Sequence, residues 1–162
     1  LSGEELVPNG AKAIPLTQGK YTIVDEEDYE RIMEHSWCFT TLGYADTSNK
    51  RNNLKMHRVV LGTTDPEILV DHINHNKVDN RKSNLRECTK GQNQYNKKPT
   101  IGKSKYKGVI LFSENKWRAR VSFENKRVSL GLFDNEEDAA RAYDAKAKEL
   151  HKEFAYLNFP ND

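Results

Sequence analysis

The stretch VDHINHNKVDNRKSNLRECTKGQN, Val70 to Asn93, decides how the middle of the chain folds. Val70–Ile73 suits a short strand, and Asn74–Ser83 is a polar loop crowded with turn-forming residues. Leu85–Cys88 suits the returning strand. Thr89 then stands where a helix needs its N-cap, ahead of a helix that carries Asn93. The order is strand, loop, strand, helix, a β-β-α unit. Within it Asp71 and His72 are adjacent, Asn84 follows His72 by twelve residues, and Asn93 follows Asn84 by nine. A polar turn, a metal site and half of a catalytic centre would each use such residues. On a strand Asp71 and His72 point to opposite sides, so the strand must bend or twist for both to serve one target.

Downstream, the pattern changes to strict alternation. In KWRARVSF, Lys116 to Phe123, the residues Trp117, Ala119, Val121 and Phe123 share one face, and Lys116, Arg118, Arg120 and Ser122 share the other. Glu124-Asn125 makes a tight turn, and Arg127 to Leu130 repeats the alternation. Tyr106–Phe112 reads as a strand before these two. Asp134 is placed as a helix N-cap with Glu137 completing a capping box. Ala140, Tyr143, Ala147 and Leu150 follow at helical spacing, with alanines small enough to let that helix lie close on a sheet. The helix must cover the apolar strand face, which leaves the arginine face open.

Upstream, Leu1–Ala13 has no periodicity and reads as a loose tail. Ile14–Val24 suggests short strands about a Gln18-Gly19 turn. Asp25–Asp28 puts negative charge where a helix could begin, with Tyr29, Ile32 and Met33 on one face. Trp37, Phe39, Tyr44 and Ala45 suggest a hairpin bent at Leu42-Gly43. Leu54–Leu61 is apolar apart from His57 and Arg58, and Gly62 and Pro66 break the chain after it. The fold class expected is α+β: 1–13 tail, 14–98 holding the β-β-α unit, 99–103 linker, and 104–162 a three-stranded antiparallel sheet packed on one helix.

Composition narrows the function. The chain has 162 residues, 36% hydrophobic and 31% charged, enough for one ordinary domain or two small ones. It begins at Leu1, with no signal-like segment and no apolar run long enough to span a membrane. Cys38 and Cys88 stand far apart, so a cysteine-built zinc site is not indicated and a reduced, intracellular setting is expected. The net charge of +2 conceals a basic block. Residues 77–130 hold fifteen Lys/Arg against four Asp/Glu, a net of +11, while residues 1–36 hold three against eight. Such a block suits a polyanion, because released phosphate counterions drive binding. Lys97, Lys98, Lys103 and Lys105 could track phosphates along the linker. Arg118, Arg120 and Arg127 on the open sheet face could enter a major groove, reading guanine edges or gripping phosphates.

Two resemblances follow from these residues. Tyr106-Lys107-Gly108-Val109, Lys116-Trp117-Arg118-Ala119, Arg127 to Phe133 and Ala139 to Asp144 resemble the apetala/ethylene-response-factor DNA-binding domain over about Ser104 to Phe159. That resemblance implies a three-stranded sheet lying in the DNA major groove, with Lys107 and Arg127 at DNA-contacting positions. Ile110 and Phe112 stand where that family has arginines, and Ser129, taken as a contact, stands where it has tryptophan. The family's preferred DNA site therefore does not transfer.

The His72, Asn84, Asn93 spacing in its β-β-α setting resembles the HNH nuclease motif of phage and homing endonucleases, over about Lys55 to Lys98. It implies phosphodiester hydrolysis that leaves a 5′-phosphate and a 3′-hydroxyl. His72 would be the general base and Asn84 would hold the loop and orient it. Asp71 and Asn93 would hold one Mg²⁺, or Mn²⁺ in its place. The chemistry suits the residue types: an imidazole takes a proton from water near neutral pH, and a hard cation with oxygen ligands steadies the leaving oxygen. Arg58 could clamp a phosphate or serve the structure. His75 reads as a loop residue, and His35 and His151 as surface residues. The expectation is an intracellular enzyme of a phage or mobile element, acting in the host cytoplasm on double-stranded DNA. One active site per monomer would nick one strand, and a double-strand cut would need a dimer. The competing readings are a DNA-binding regulator with a retired nuclease module and a structural zinc protein.

Overall fold

Thr22 and Val24 alternate with exposed or half-buried neighbours along Tyr21–Asp25, so one edge of this strand faces a core and the other faces water. It is β2, paired antiparallel with β1, Ala11–Pro15, in the register Ile14↔Thr22. Gln18 and Gly19 between them both take positive φ, 62° and 64°, as the expected turn requires. The computed structural model describes residues 7–48, 53–99 and 102–162. The first six residues of the expected tail, and 100 and 101 of the expected linker, lie outside the described residues. β1 starts at Ala11, inside the stretch read as loose, because Ala11–Pro15 pairs with β2 along its whole length.

The chain divides into two units, Leu1–Cys88 and Thr89–Asp162. In the first, a 3₁₀ turn at Glu26–Asp28 runs into α1, Tyr29–Met33. The acidic run holds more than a helix end. Asp28 is buried, with its carboxylate 2.6 Å from Arg31 and 3.0 Å from Lys82. Asp25 accepts from the Lys82 backbone N–H at 2.7 Å. The hairpin of β3, Trp37–Phe39, and β4, Ala45–Thr47, bends at Gly43. α2, Met56–Leu61, stops at Gly62, which takes φ 73° and donates to Arg58 and Val59 carbonyls. β5, Leu69–His72, and β6, Leu85–Cys88, pair antiparallel with Asp71 opposite Arg86 and His72 opposite Leu85. Ile14, Val24, Ile32, Trp37, Met56, Val60 and Leu85 form the core beneath these elements. Each such side chain stabilises the fold by roughly 1.5–3 kcal/mol on burial.

The second unit opens with α3, Lys90–Asn96, capped by Thr89. The Thr89 hydroxyl accepts from Gln92 N–H at 3.2 Å and the Gln92 side chain accepts from Thr89 N–H at 2.9 Å, a reciprocal cap worth about 1 kcal/mol. β7, Val109–Ser113, β8, Lys116–Phe123, and β9, Lys126–Phe133, form one antiparallel sheet in that order. The Glu124-Asn125 turn has φ 48° and 63°, the geometry that joins twisted strands directly. α4, Glu136–His151, lays Ala139, Ala140, Tyr143 and Ala147 on Val109, Ala119 and Val121. Its cap is Asn135, one residue beyond the expected Asp134: Asn135 accepts from Asp138 N–H at 2.7 Å. Asp144 is buried and ties the chain end back, accepting from Asn158 and Phe159 N–H at 2.9 and 2.8 Å. No described helix is long and apolar enough to cross a membrane.

Candidate nuclease site and nucleic-acid interface

The β5–β6 hairpin places Asp71 and His72 at the mouth of a loop that is unusually well tied. Asn84 works on its backbone: Oδ1 accepts from Asn74 N–H at 3.0 Å and Nδ2 donates to the Asp79 carbonyl at 2.8 Å. Asp79 is buried against Arg81, whose Nε and Nη2 both lie 2.8 Å from its carboxylate. Burial opposes the charged form of Asp79, yet the Arg81 fork holds its carboxyl below the usual range. β2 secures the same loop from outside: Ile23 N–H donates to Val78 O at 2.9 Å, and Asn80 N–H donates to Ile23 O at 2.8 Å. His75 sits in this loop at φ 64°.

His72 is 5% exposed, and Oδ1 of Asn80 lies 3.1 Å from its Nε2. Its ring also meets His57 edge-on, with centroids 5.3 Å apart, and Tyr44 at 5.9 Å. Burial lowers the His72 pKa from its ordinary 6.5, so the imidazole is neutral at pH 7. That is the form that can take a proton. Burial acts harder on His57, bringing it down to about 3. Asn84 bonds the loop backbone at Asn74 and Asp79, and the side chain that meets the His72 ring at Nε2 is Asn80. The sequence reading gave Asn80 no role and placed Tyr44 only in a hairpin, and it left open the role of His57, which stands in the apolar run before the motif.

Asp71 is buried as well, with Arg86 Nη2 at 2.8 Å and Nε at 3.1 Å from its Oδ2. Their cross-strand register sets this pair. Asn93 lies on α3, in the second unit. Among the described residues no group of three or more His, Cys, Asp or Glu side chains is arranged to hold a metal ion. A carboxylate and an amide each offer a hard oxygen donor of the kind Mg²⁺ takes.

Arg58 and Lys107, both candidates for DNA contact, make internal contacts in the structure. Arg58 donates through Nη1 to the Ile68 carbonyl and through Nη2 to the Asp65 carbonyl, each at 2.6 Å. It staples α2 to the segment before β5. Lys107 points its ammonium at the carbonyls of Gln94, Tyr95 and Lys97, at 3.3, 2.6 and 2.6 Å. Those oxygens end α3, where a cation is favoured. Burial pulls Lys107 down to about 8, and the three acceptors oppose that by favouring the ammonium. His151, expected at the surface, is 4% exposed. It lies flat on Tyr95, centroids 3.9 Å apart, and shares a 2.7 Å hydrogen bond with the Ser122 carbonyl. The first contact packs α3 against α4, and the second ties the end of α4 to β8. His35 is exposed.

On the open sheet face the register brings Arg120 opposite Ser129, Ser122 opposite Arg127, and Ile110 beside Arg118. Arg118 stacks its guanidinium 4.1 Å over the Phe112 ring. Lys97, Lys98, Lys103, Lys105, Arg127 and Ser129 are exposed. A groove of about 460 Å³ runs along this face, lined among others by Lys97, Lys98, Lys103, Lys107, Arg120 and Arg127. It has the charge and the openness to hold a phosphodiester backbone.

The HNH endonuclease profile matches residues 55–95. An uncharacterised HNH endonuclease of Acanthamoeba polyphaga mimivirus is 33% identical over 146 residues, covering 87% of this chain and 76% of that protein. The chain belongs to the HNH endonuclease family. Over its C-terminal part it is also similar to plant proteins. An AP2/ERF and B3 domain-containing transcription factor of Arabidopsis thaliana is 41% identical over 56 residues, 35% of this chain and 16% of that protein. An APETALA2-like protein of Oryza sativa subsp. indica is 43% identical over 60 residues, 36% of this chain and 14% of that protein.

Proposed function

We propose that this chain is a metal-dependent DNA endonuclease in which His72 is the general base. The observation that carries the reading is the buried, neutral His72 ring, held at Nε2 by Asn80, beside Asp71 inside the matched segment. In the proposed reaction His72 takes a proton from water as that water attacks phosphorus. Asp71 and Asn93 would hold one Mg²⁺ or Mn²⁺, which supplies charge stabilisation at the leaving oxygen. Arg86 keeps the Asp71 carboxylate in place and offsets its charge, which favours cation binding only when DNA phosphate adds its own oxygens. Asn84 maintains the loop between the two strands. The products are a 5′-phosphate and a 3′-hydroxyl.

The C-terminal sheet supplies recognition in this proposal. Arg118, Arg120, Arg127 and Ser129 face the major groove, and Lys97, Lys98, Lys103 and Lys105 follow the backbone. The similarity to plant DNA-binding proteins supports DNA as the partner, and the viral relative supports an origin in a virus or mobile element. A single active site would nick one strand as a monomer, at a specific sequence as homing enzymes do. The Arg86 bridge, which occupies one Asp71 oxygen, is what a second reading would start from: a DNA-binding regulator that no longer cuts.

The test is nicking of supercoiled plasmid and of a genomic library by wild type and His72→Ala, with Mg²⁺, Mn²⁺ or chelator. Open circles with wild type and metal only are expected. Salt-dependent DNA binding by both proteins, with no cutting of either substrate, would favour the regulator.

A further inference from the structure

We infer that Thr22, a β2 residue outside the matched segment, acts through Asn80 as a positioning residue that determines which nitrogen of His72 is basic: Nε2 carries the proton and Nδ1 the lone pair. The inference rests on His72 being the general base for its catalytic meaning, but its structural content stands apart from that reading.

The Val78 carbonyl only accepts, and Thr22 Oγ1 lies 2.8 Å from it. Thr22 has one proton to give. Its other contact of this kind, the Met56 sulfur at 3.8 Å, is also only an acceptor. Whichever of the two takes the hydroxyl proton, the Thr22 oxygen is left to accept from Asn80, 2.8 Å away. The Asn80 group facing Thr22 is therefore its NH₂. The amide oxygen must then face His72, at 3.1 Å from Nε2. An amide oxygen only accepts, so Nε2 donates, and in a neutral imidazole the lone pair falls on Nδ1. The alternative amide orientation would set the Asn80 oxygen against the lone pairs of the Thr22 oxygen.

The surroundings make the choice firm. Thr22 and Asn80 are each 1% exposed, and His72 is 5% exposed, so solvent does not substitute for a wrong partner. The backbone bonds between Ile23 and residues 78 and 80 fix β2 against the loop next to Thr22. Asn80 thus reports the orientation of a hydroxyl on β2 to the ring on β5.

The experiment is nitrogen-15 NMR of the full chain labelled at histidine, with two-bond correlations assigning each nitrogen and His72→Gln identifying the signal. Wild type should show Nε2 as the protonated nitrogen and Nδ1 as the unprotonated one. Thr22→Val removes the acceptor for the Asn80 NH₂ and should shift both nitrogens toward averaged values. Thr22→Ser should restore the wild-type pattern. With nicking activity in hand, Thr22→Val should lower the turnover rate roughly tenfold at unchanged DNA affinity, with Thr22→Ser close to wild type. A proton on Nδ1 in wild type overturns the inference, and so does a Thr22→Val spectrum identical to wild type. If Thr22→Val fails to fold, the wild-type spectrum alone decides. A wild-type Nε2–H pattern in a protein that never cuts would sink the general-base reading and leave this inference standing.

Discussion

Replacing Gly108 with alanine tests the packing of the second unit where it has least slack. Gly108 takes φ +75°, and a methyl carbon built there would fall 2.0 Å from Cδ2 and 2.5 Å from Cε2 of Tyr143. It would also lie 2.7 Å from the Arg120 backbone oxygen. Neither neighbour can retreat easily. Tyr143 is 2% exposed and packed with Val121 and Ala147, and Arg120 N–H donates to Gly108 O at 2.8 Å. The left-handed backbone costs a residue with a Cβ about 1–2 kcal/mol, and overpacking adds about 1–3 kcal/mol. Together they amount to about 2–5 kcal/mol, which lowers amide protection in the sheet roughly 30- to 5,000-fold. Hydrogen exchange measured on β8 amides reads this, with β6 amides as an internal control. Gly62→Ala is the comparison, since Gly62 has φ +73° but nothing within 4 Å of the added carbon. Only the backbone term applies there, so protection in its own unit should fall by about 1–2 kcal/mol. A Gly108→Ala protein with β8 protection within threefold of wild type would refute the argument that Tyr143 is immobile over this glycine.

Three further outcomes are expected. Arg86→Leu takes away the guanidinium 2.8 Å from a buried Asp71 carboxylate. Urea unfolding should show a loss of about 3–5 kcal/mol, most of it recovered in the Asp71→Leu/Arg86→Leu double variant. His57 has a folded-state pKa of about 3 against an ordinary 6.5. Between those values the unfolded chain binds a proton that the folded chain refuses, so stability falls as pH drops through this window, by at most about 1.4 kcal/mol per pH unit. His57→Gln should flatten that slope, and an unchanged slope would show that His57 is charged in the fold. Single alanine replacements of Arg118, Arg120 and Arg127 should each weaken DNA binding in a filter or gel-shift titration. Each that contacts phosphate should also reduce the slope of log affinity against log salt by about one.

Much of this architecture was legible because it depends on neighbours in sequence. Alternation marked β8 at Lys116–Phe123 to the residue, and the Glu124-Asn125 turn fell where the apolar face had to reverse. Thr89, a good N-cap residue after the returning strand, marked the start of α3. What escaped depends on distant chain segments. Asn80 is one of many asparagines in a turn-rich stretch, and only the arrival of Thr22, fifty-eight residues earlier, gives it a task. Lys107 was placed at a DNA-contacting position by family resemblance, and the carbonyls of Gln94, Tyr95 and Lys97 that meet its ammonium are not visible in a sequence. His151 looked polar and exposed until the ring of Tyr95 closed over it. Asn135 displaced Asp134 as the α4 cap because either side chain could serve, and only the backbone angle chose.

The central claim is that cutting and binding are carried by different residues of one chain. The most direct measurement takes one preparation of His72→Ala and determines its DNA affinity and its nicking rate with Mg²⁺ beside wild type. Affinity within about twofold and nicking reduced by two to four orders of magnitude are predicted. Nicking retained at the wild-type rate would contradict the claim, and so would affinity lost in step with it.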